Sequence, residues 1–240
     1  MQDMRIAVIT CDTDWVEEET MEQAYDALCS LGKPVTYFLT QRYGLFSGKS
    51  ALPAELAVHP NYEATLDLQG ELRRCLAFVP GAQSFRAHSL FWTERLRPVL
   101  WDHGITVSSS VMMYLQAGIH PYPIAHGITE IPLFWMDMFH MEMCALAGMP
   151  PFDAGRLHLE YAGLKVLDIH PVHIVLNTQS LGHYRHAKQY YHQPGELAAR
   201  RAGGRGVWDF FRDMVGRLDA LGYHFCLLRD ARRGRRFEAA

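Results

Sequence analysis

Arg5-Ile-Ala-Val-Ile-Thr-Cys-Asp-Thr-Asp-Trp15 is the stretch from which the fold is read. Arg5 to Cys11 is a continuous apolar run rich in β-branched residues. That pattern marks a strand buried on both faces, as in a parallel sheet covered by helices. Two carboxylates then follow, Asp12 and Asp14. Two residues apart, they point to the same side if the chain stays extended. In parallel α/β folds, ligands sit at the carboxyl ends of strands. One carboxylate is therefore available to bind a metal and the other to act as a base. The structural alternative is a turn or helix-cap aspartate.

The flanking sequence repeats the alternation of strand and helix. Glu17 to Leu31 places Met21, Ala24, Tyr25, Leu28 and Leu31 at helical spacing, with acids crowding its first turn and Gly32 just past its end. Val35 to Thr40 reads as the second strand. This β–α–β opening predicts a parallel sheet or barrel with right-handed crossovers. Further strands are expected at Glu55–His59, Thr106–Val111, Ile128–Pro132, Leu164–His170 and Tyr223–Leu228. Helices are expected at Leu68–Phe78, Thr93–His103 and Val207–Leu221. No linker, repeat or low-complexity block interrupts the pattern, so residues 1–240 are expected to form a single domain. Tyr184–Gln193 and Arg200–Gly206 read as surface loops, the alternative being a lid or a contact for an anionic carrier. The Arg229–Arg236 run reads as a solvated basic tail.

Composition narrows the function. The 240 residues are 49% hydrophobic and 20% charged, enough for a sizeable core. A net charge of −3 argues against a nucleic-acid partner. Five scattered cysteines without a CxxC pair read as reduced, buried thiols. The first residues lack the basic start and apolar stretch of a signal peptide. Together these predict a cytoplasmic protein. The longest charge-free stretch, Ile105–Thr129, holds prolines, glycines and serines and is not expected to span a membrane. Thirteen histidines are the unusual number, and histidine is the commonest metal ligand.

Several polar residues stand at predicted strand ends. His59 closes one strand. Phe85-Arg86-Ala-His88-Ser89 follows another, and Arg86 can hold a carboxylate with its bidentate fork. Asp168 and His170 close a third, with His173 nearby; Asp168 is expected to face away from the cleft. Glu130 to His140 combines aromatics with one acid. Trp135 and Asp137 are taken from it as candidate substrate contacts, since aromatic faces stack on sugar rings, the alternative being an aromatic core segment; His173 is a third candidate contact, the alternatives being a support for His170 or a core residue. Asp137 is also placed to tune a histidine.

In the order and spacing of these motifs the chain resembles the polysaccharide deacetylases, the NodB-homology or carbohydrate esterase 4 family. The carriers are Thr10-x-Asp12-x-Asp14, Val35-Thr-Tyr-Phe-Leu-Thr40, Glu55-Leu-Ala-Val-His59, Phe85-Arg86-x-x-Ser89 and Leu167-x-x-His170-Pro171. The likeness is greatest to the branch found with O-antigen and lipopolysaccharide biosynthesis, and it runs over roughly residues 5–228. The resemblance implies a single-domain α/β fold, a distorted (β/α)7-type, TIM-like barrel, and a metal-dependent N-deacetylase acting on an acetamido sugar. It implies Asp12 as catalytic base, Arg86 as its holder and His170 as general acid. It implies Asp14 and His59 as ligands of a divalent metal, zinc being expected. The family's second metal histidine falls at Glu63 here, so the third ligand is either His88 or Glu63. Ser89 stands where the family offers a backbone N–H to the oxyanion. A cytoplasmic deacetylase would meet nucleotide- or lipid-linked sugars. An amidase of the allantoinase-like kind and a silent sugar-binding barrel are the competing readings.

Overall fold

In the computed structural model, which describes residues 4–47, 53–124 and 127–232, the opening run forms strand β1, Arg5–Asp12, buried from Ile6 onward. It is central to one mixed sheet whose other strands are β2 (Val35–Leu39), β3 (Ala54–Val58), β4 (Ser84–Phe85), β5 (Val107–Ser108), β6 (Tyr122–Pro123), β7 (Thr129–Glu130), β8 (Trp135–Met136), β9 (Gly163–Asp168) and β10 (His224–Phe225). The order is β6-β7-β5-β4-β3-β2-β1-β9-β8, with β10 also on β1. All pairings are parallel except β6 with β7. The sheet curls into a half-barrel, and its path from β6 to β8 stays open among the described residues.

One edge of β1 pairs with β9 along Arg5–Thr10. The other is divided: β10 takes Ile6 and Ala7, and β2 takes Ile9 to Asp12. Such doubly paired strands must be apolar on both faces, which explains the uninterrupted run in the sequence.

Helices cover the sheet: α1 (Glu18–Cys29), α2 (Leu68–Leu76), α3 (Leu96–Asp102), α4 (Asp137–Leu146), α5 (Pro171–Leu176), α6 (Leu181–Ala187), α7 (Pro194–Ala198), α8 (Val207–Ala220) and α9 (Leu228–Ala231). Helix α1 buries Met21, Ala24 and Leu28, and the left-handed Gly32 (φ 64°) lets the chain turn back. Helix α8 buries Trp208, Phe211, Met214, Val215 and Leu218. Its first turn hangs on Asn177, whose Oδ1 accepts from the N–H groups of Trp208 and Asp209 at 3.1 and 3.3 Å. Gly206 precedes it because a Cβ there would lie 2.0 Å from the Asn177 carbonyl oxygen.

Some expectations shift. Tyr184–Gln193 is largely helical rather than a loop, because Ser180 caps α6 by accepting from the His183 N–H at 3.1 Å. Arg200–Gly206 stays irregular but is tied down, with the Ala202 N–H donating to the Leu176 carbonyl at 2.8 Å. The predicted last strand shrinks to His224–Phe225, and α9 follows. Of the basic tail, Arg233, Arg235 and Arg236 lie outside the described residues. Among the described residues no helix is long and apolar enough to cross a membrane.

Phe211 is wholly buried, stacks on Trp208 and packs at a tilt against Trp135. Phe211→Ala is expected to cost about 3–5 kcal/mol, read as a lower urea midpoint with unchanged slope.

Candidate functional site

The polar residues expected at strand ends converge at the carboxyl edge of the sheet, where backbone pairing ends and side chains turn inward. Asp12 is the last residue of β1 and Asp168 the last of β9. His59 follows β3, Arg86 follows β4 and Ser109 follows β5. His170 is the N-cap of α5, and Asp137 opens α4 directly after β8.

Asp14 and Trp15 both take the left-handed backbone conformation (φ 40° and 57°), which L-residues adopt at a cost. The turn is held from two sides. The Trp15 N–H donates to Thr40 Oγ1 at 2.9 Å, and Tyr191 Oη donates to the Asp14 carbonyl at 2.7 Å. The result aims the Asp14 carboxylate at two imidazoles. His59 Nε2 and His88 Nδ1 each lie 3.2 Å from Asp14 Oδ1. The other nitrogen of His59 donates to the Arg86 carbonyl at 2.8 Å, which orients the ring and leaves Nε2 facing Asp14. One ligand atom from each of Asp14, His59 and His88 falls within 4.8 Å of the others. This donor set, one carboxylate and two neutral imidazoles, suits a divalent metal and leaves positions open. Glu63 is exposed and is not part of the group. Burial opposes ionisation of Asp14, but His170, His59 and His88 outweigh it and hold the carboxyl well below the usual range.

Beside this group lies a buried charge cluster. Arg86 is fully buried and every nitrogen is used. Nε donates to the Ser109 carbonyl at 2.8 Å and Nη2 to Ser109 Oγ at 2.9 Å. Nη1 donates to Asp12 Oδ1 at 2.7 Å and Asp168 Oδ1 at 2.6 Å. The guanidinium also lies over the Phe38 ring at 4.2 Å. Asp12 Oδ2 reaches to 3.7 Å from His59 Nε2, so Asp12 borders the metal-type group as well.

His170 is fixed by Asp137. Its backbone N–H donates to Asp137 Oδ2 and its Nδ1–H to Oδ1, both at 2.7 Å. Its Nε2 points to Asp14 Oδ2 at 3.4 Å. Burial would lower the His170 pKa, but Asp137 and Asp14 overcome it and raise it well above the ordinary value. The imidazole is therefore a ready proton holder facing Asp14.

Three residues expected to touch substrate sit elsewhere. Trp135 is fully buried, its ring packed against His140, Phe210 and Phe211. It belongs to the core because β8 turns that side inward. Asp137 is fully buried on His170, so it positions that histidine and does not meet substrate. His173 is 2% exposed and bonded through Nδ1 to Thr178 Oγ1 at 2.8 Å, with burial pushing its pKa down to about 4. It packs edge-on against His170 and has no face toward solvent. Ser89 is exposed, with left-handed backbone (φ 55°) beside His88.

Asp168 is the residue the sequence reading placed wrongly: it faces Arg86, not away. An acid ending a strand otherwise buried and apolar was the signal, since such a carboxylate needs a buried partner. Burial and the neighbouring Asp12 raise its pKa to about 7. That group therefore binds a proton more tightly folded than unfolded. Its contribution to stability is complete below about pH 4, the unfolded value, and is lost as pH rises through about 7. Metal-free protein is expected to lose Tm between about pH 4 and 7, and Asp168→Asn is expected to flatten that slope. Equal slopes in calorimetry would refute the assignment.

A family profile described as WbmS-like polysaccharide deacetylase matches residues 9–188. No curated protein sequence matches the chain. Among solved structures, a protein from Bordetella bronchiseptica assigned as a polysaccharide deacetylase involved in O-antigen biosynthesis superposes with a TM-score of 0.78 at 25% identity, over 90% of this chain and 91% of its own. A protein from Mycobacterium smegmatis assigned as a polysaccharide deacetylase gives 0.56 at 14% identity, over 98% and 92%. A family 4 carbohydrate esterase from Bacillus anthracis gives 0.50 at 12%, over 98% and 86%. The last two speak to the fold alone.

Proposed function

Because this chain belongs to the WbmS-like polysaccharide deacetylase family, a family of hydrolases that cleave an amide bond, we propose that it is a metal-dependent N-deacetylase. Its substrate in this reading is an acetamido sugar of O-antigen or related surface-polysaccharide synthesis. The observation that carries the reading is the convergence of Asp14, His59 and His88 next to two oriented proton-transfer groups, Asp12 on Arg86 and His170 on Asp137.

Asp14, His59 and His88 would hold the metal, and the imidazole-rich donor set favours zinc. When bound, the ion supplies Lewis acidity for the acetamido carbonyl and acidifies the attacking water. Asp12, oriented by Arg86, takes the proton of that water. As the water oxygen bonds to the carbonyl carbon, negative charge grows on the carbonyl oxygen, and in this reading the Ser89 N–H donates to it. His170 gives its proton to the sugar nitrogen as the C–N bond breaks, since an amine is too basic to leave as an anion. Acetate and a free amino sugar result. Asp137 keeps the His170 ring aimed and supports its protonated form.

The reading takes residues 1–240 as one catalytic domain. The reading extends to a cytoplasmic location, where the sugar would be carried on a nucleotide or a lipid.

Acetate release from a panel of acetamido sugars, nucleotide sugars and simple amides tests the proposal. Release confined to simple amides would favour a general amidase. Asp12→Asn is expected to lower kcat by about 10²–10⁴-fold, the scale of general-base catalysis, while metal content stays stoichiometric by elemental analysis. His88→Ala is expected to weaken zinc binding by more than the about 10–100-fold that loss of a ligand's supporting partner costs. Glu63→Ala should leave it unchanged; the reverse result would move the third ligand to Glu63.

A further inference from the structure

Arg86 carries one positive charge, yet two buried carboxylates meet it at the same nitrogen. Nη1 donates to Asp12 Oδ1 and to Asp168 Oδ1. Thr10 Oγ1 closes the cluster, donating to Asp168 Oδ1 at 2.6 Å and accepting from Nη1 at 3.0 Å. The other oxygen, Asp168 Oδ2, is buried with no hydrogen-bond partner among the described residues and lies 3.9 Å from His170 Nδ1. The titratable groups facing Asp168 are Asp12 and Cys11 on β1, Arg86 after β4, Asp137 at the start of α4, and His170. A carboxylate kept only for packing is normally saturated with donors. This one is half satisfied and stands between the proposed base and the proposed acid.

We infer that Asp168 is a positioning residue: by sharing Nη1 with Asp12 it holds the guanidinium, and through it the proposed base, in place. The inference rests on the reading of Asp12 as base. A buried guanidinium stripped of its partner is costly. Were Asp12 its sole carboxylate, the guanidinium would be anchored at Nη1 by the reacting acid alone. With Asp168 on the same nitrogen, Arg86 has a second anchor that does not take part in the reaction. Asp168 itself takes no proton from substrate or water. The water proton goes to Asp12, and the amine proton comes from His170.

Asp168→Asn keeps the shape and removes the charge. In the zinc-loaded enzyme, kcat is expected to fall about tenfold, part of the about 10²–10⁴ available to general-base catalysis. KM should stay within about twofold. Thr10→Val, which removes a donor to Asp168 without deleting its charge, should lower kcat by less with KM again unchanged, and serves if Asp168→Asn does not fold. An active wild type whose kcat both variants match overturns the role of Asp168. A readout free of turnover guards against failure of the deacetylase reading itself. In zinc-loaded protein labelled with carboxyl-¹³C aspartate, the Asp168 titration should drop by about one pH unit or more in Asp12→Asn, since the competitor for Arg86 is gone. An unchanged midpoint overturns the sharing even if no acetate is ever released.

Discussion

The structure is organised around one buried cation. Arg86 spends its Nε and Nη2 on Ser109 and its Nη1 on two carboxylates, from β1 and β9. Those strands are neighbours, but Arg86 comes from the far side of β2 and β3. A charge of this kind is tolerated only when every partner is present with good geometry. The guanidinium thus works as a positional standard: three strand ends, of β1, β5 and β9, must reach it in register, and the side chains they carry are then fixed relative to one another. His59 is tied to the same standard through the Arg86 carbonyl.

Around this standard the site divides its protons unequally. Asp14, surrounded by imidazoles, is held as a carboxylate. His170, between Asp137 and Asp14, is held as an imidazolium. His173, a few ångströms on but sealed in the core, stays neutral. Two histidines three residues apart thereby differ in charge because one meets carboxylates and the other meets Thr178. Environment, not residue type, separates the group with a proton to give from its inert neighbour.

Much of this was legible in the sequence. The apolar run Arg5–Cys11 announced the central strand, and polar residues at strand ends announced Asp12, Asp14, His59, Arg86, His88 and His170. The rest was not, for physical reasons. Alternation along a strand says which residues share a face only while the strand stays regular, and the turn at His170 let Asp168 face the cluster together with it. Trp135 and His173 looked like contact residues because aromatic and imidazole side chains serve cores and binding sites equally; only the packing of α5 and α8 distinguishes the two uses. Helices as short as α5 and α6 carry too few turns to show a period.

The divided edge of β1 has a consequence for assembly of the protein. Its Ile6 and Ala7 are paired with His224 and Phe225, and its opposite edge with residues 163–168. A nascent chain would expose the unpaired edges of its first strand until most of the polypeptide had left the ribosome. Contacts of such long sequence separation form slowly. Neither the second carboxylate on Arg86 nor the histidine on Asp137 exists before residue 170 has emerged. Truncated products would therefore carry an apolar, open-edged sheet and an arginine short of one of its two carboxylates, a state inviting aggregation or degradation. The chemical centre and the folding endpoint of this protein are the same event.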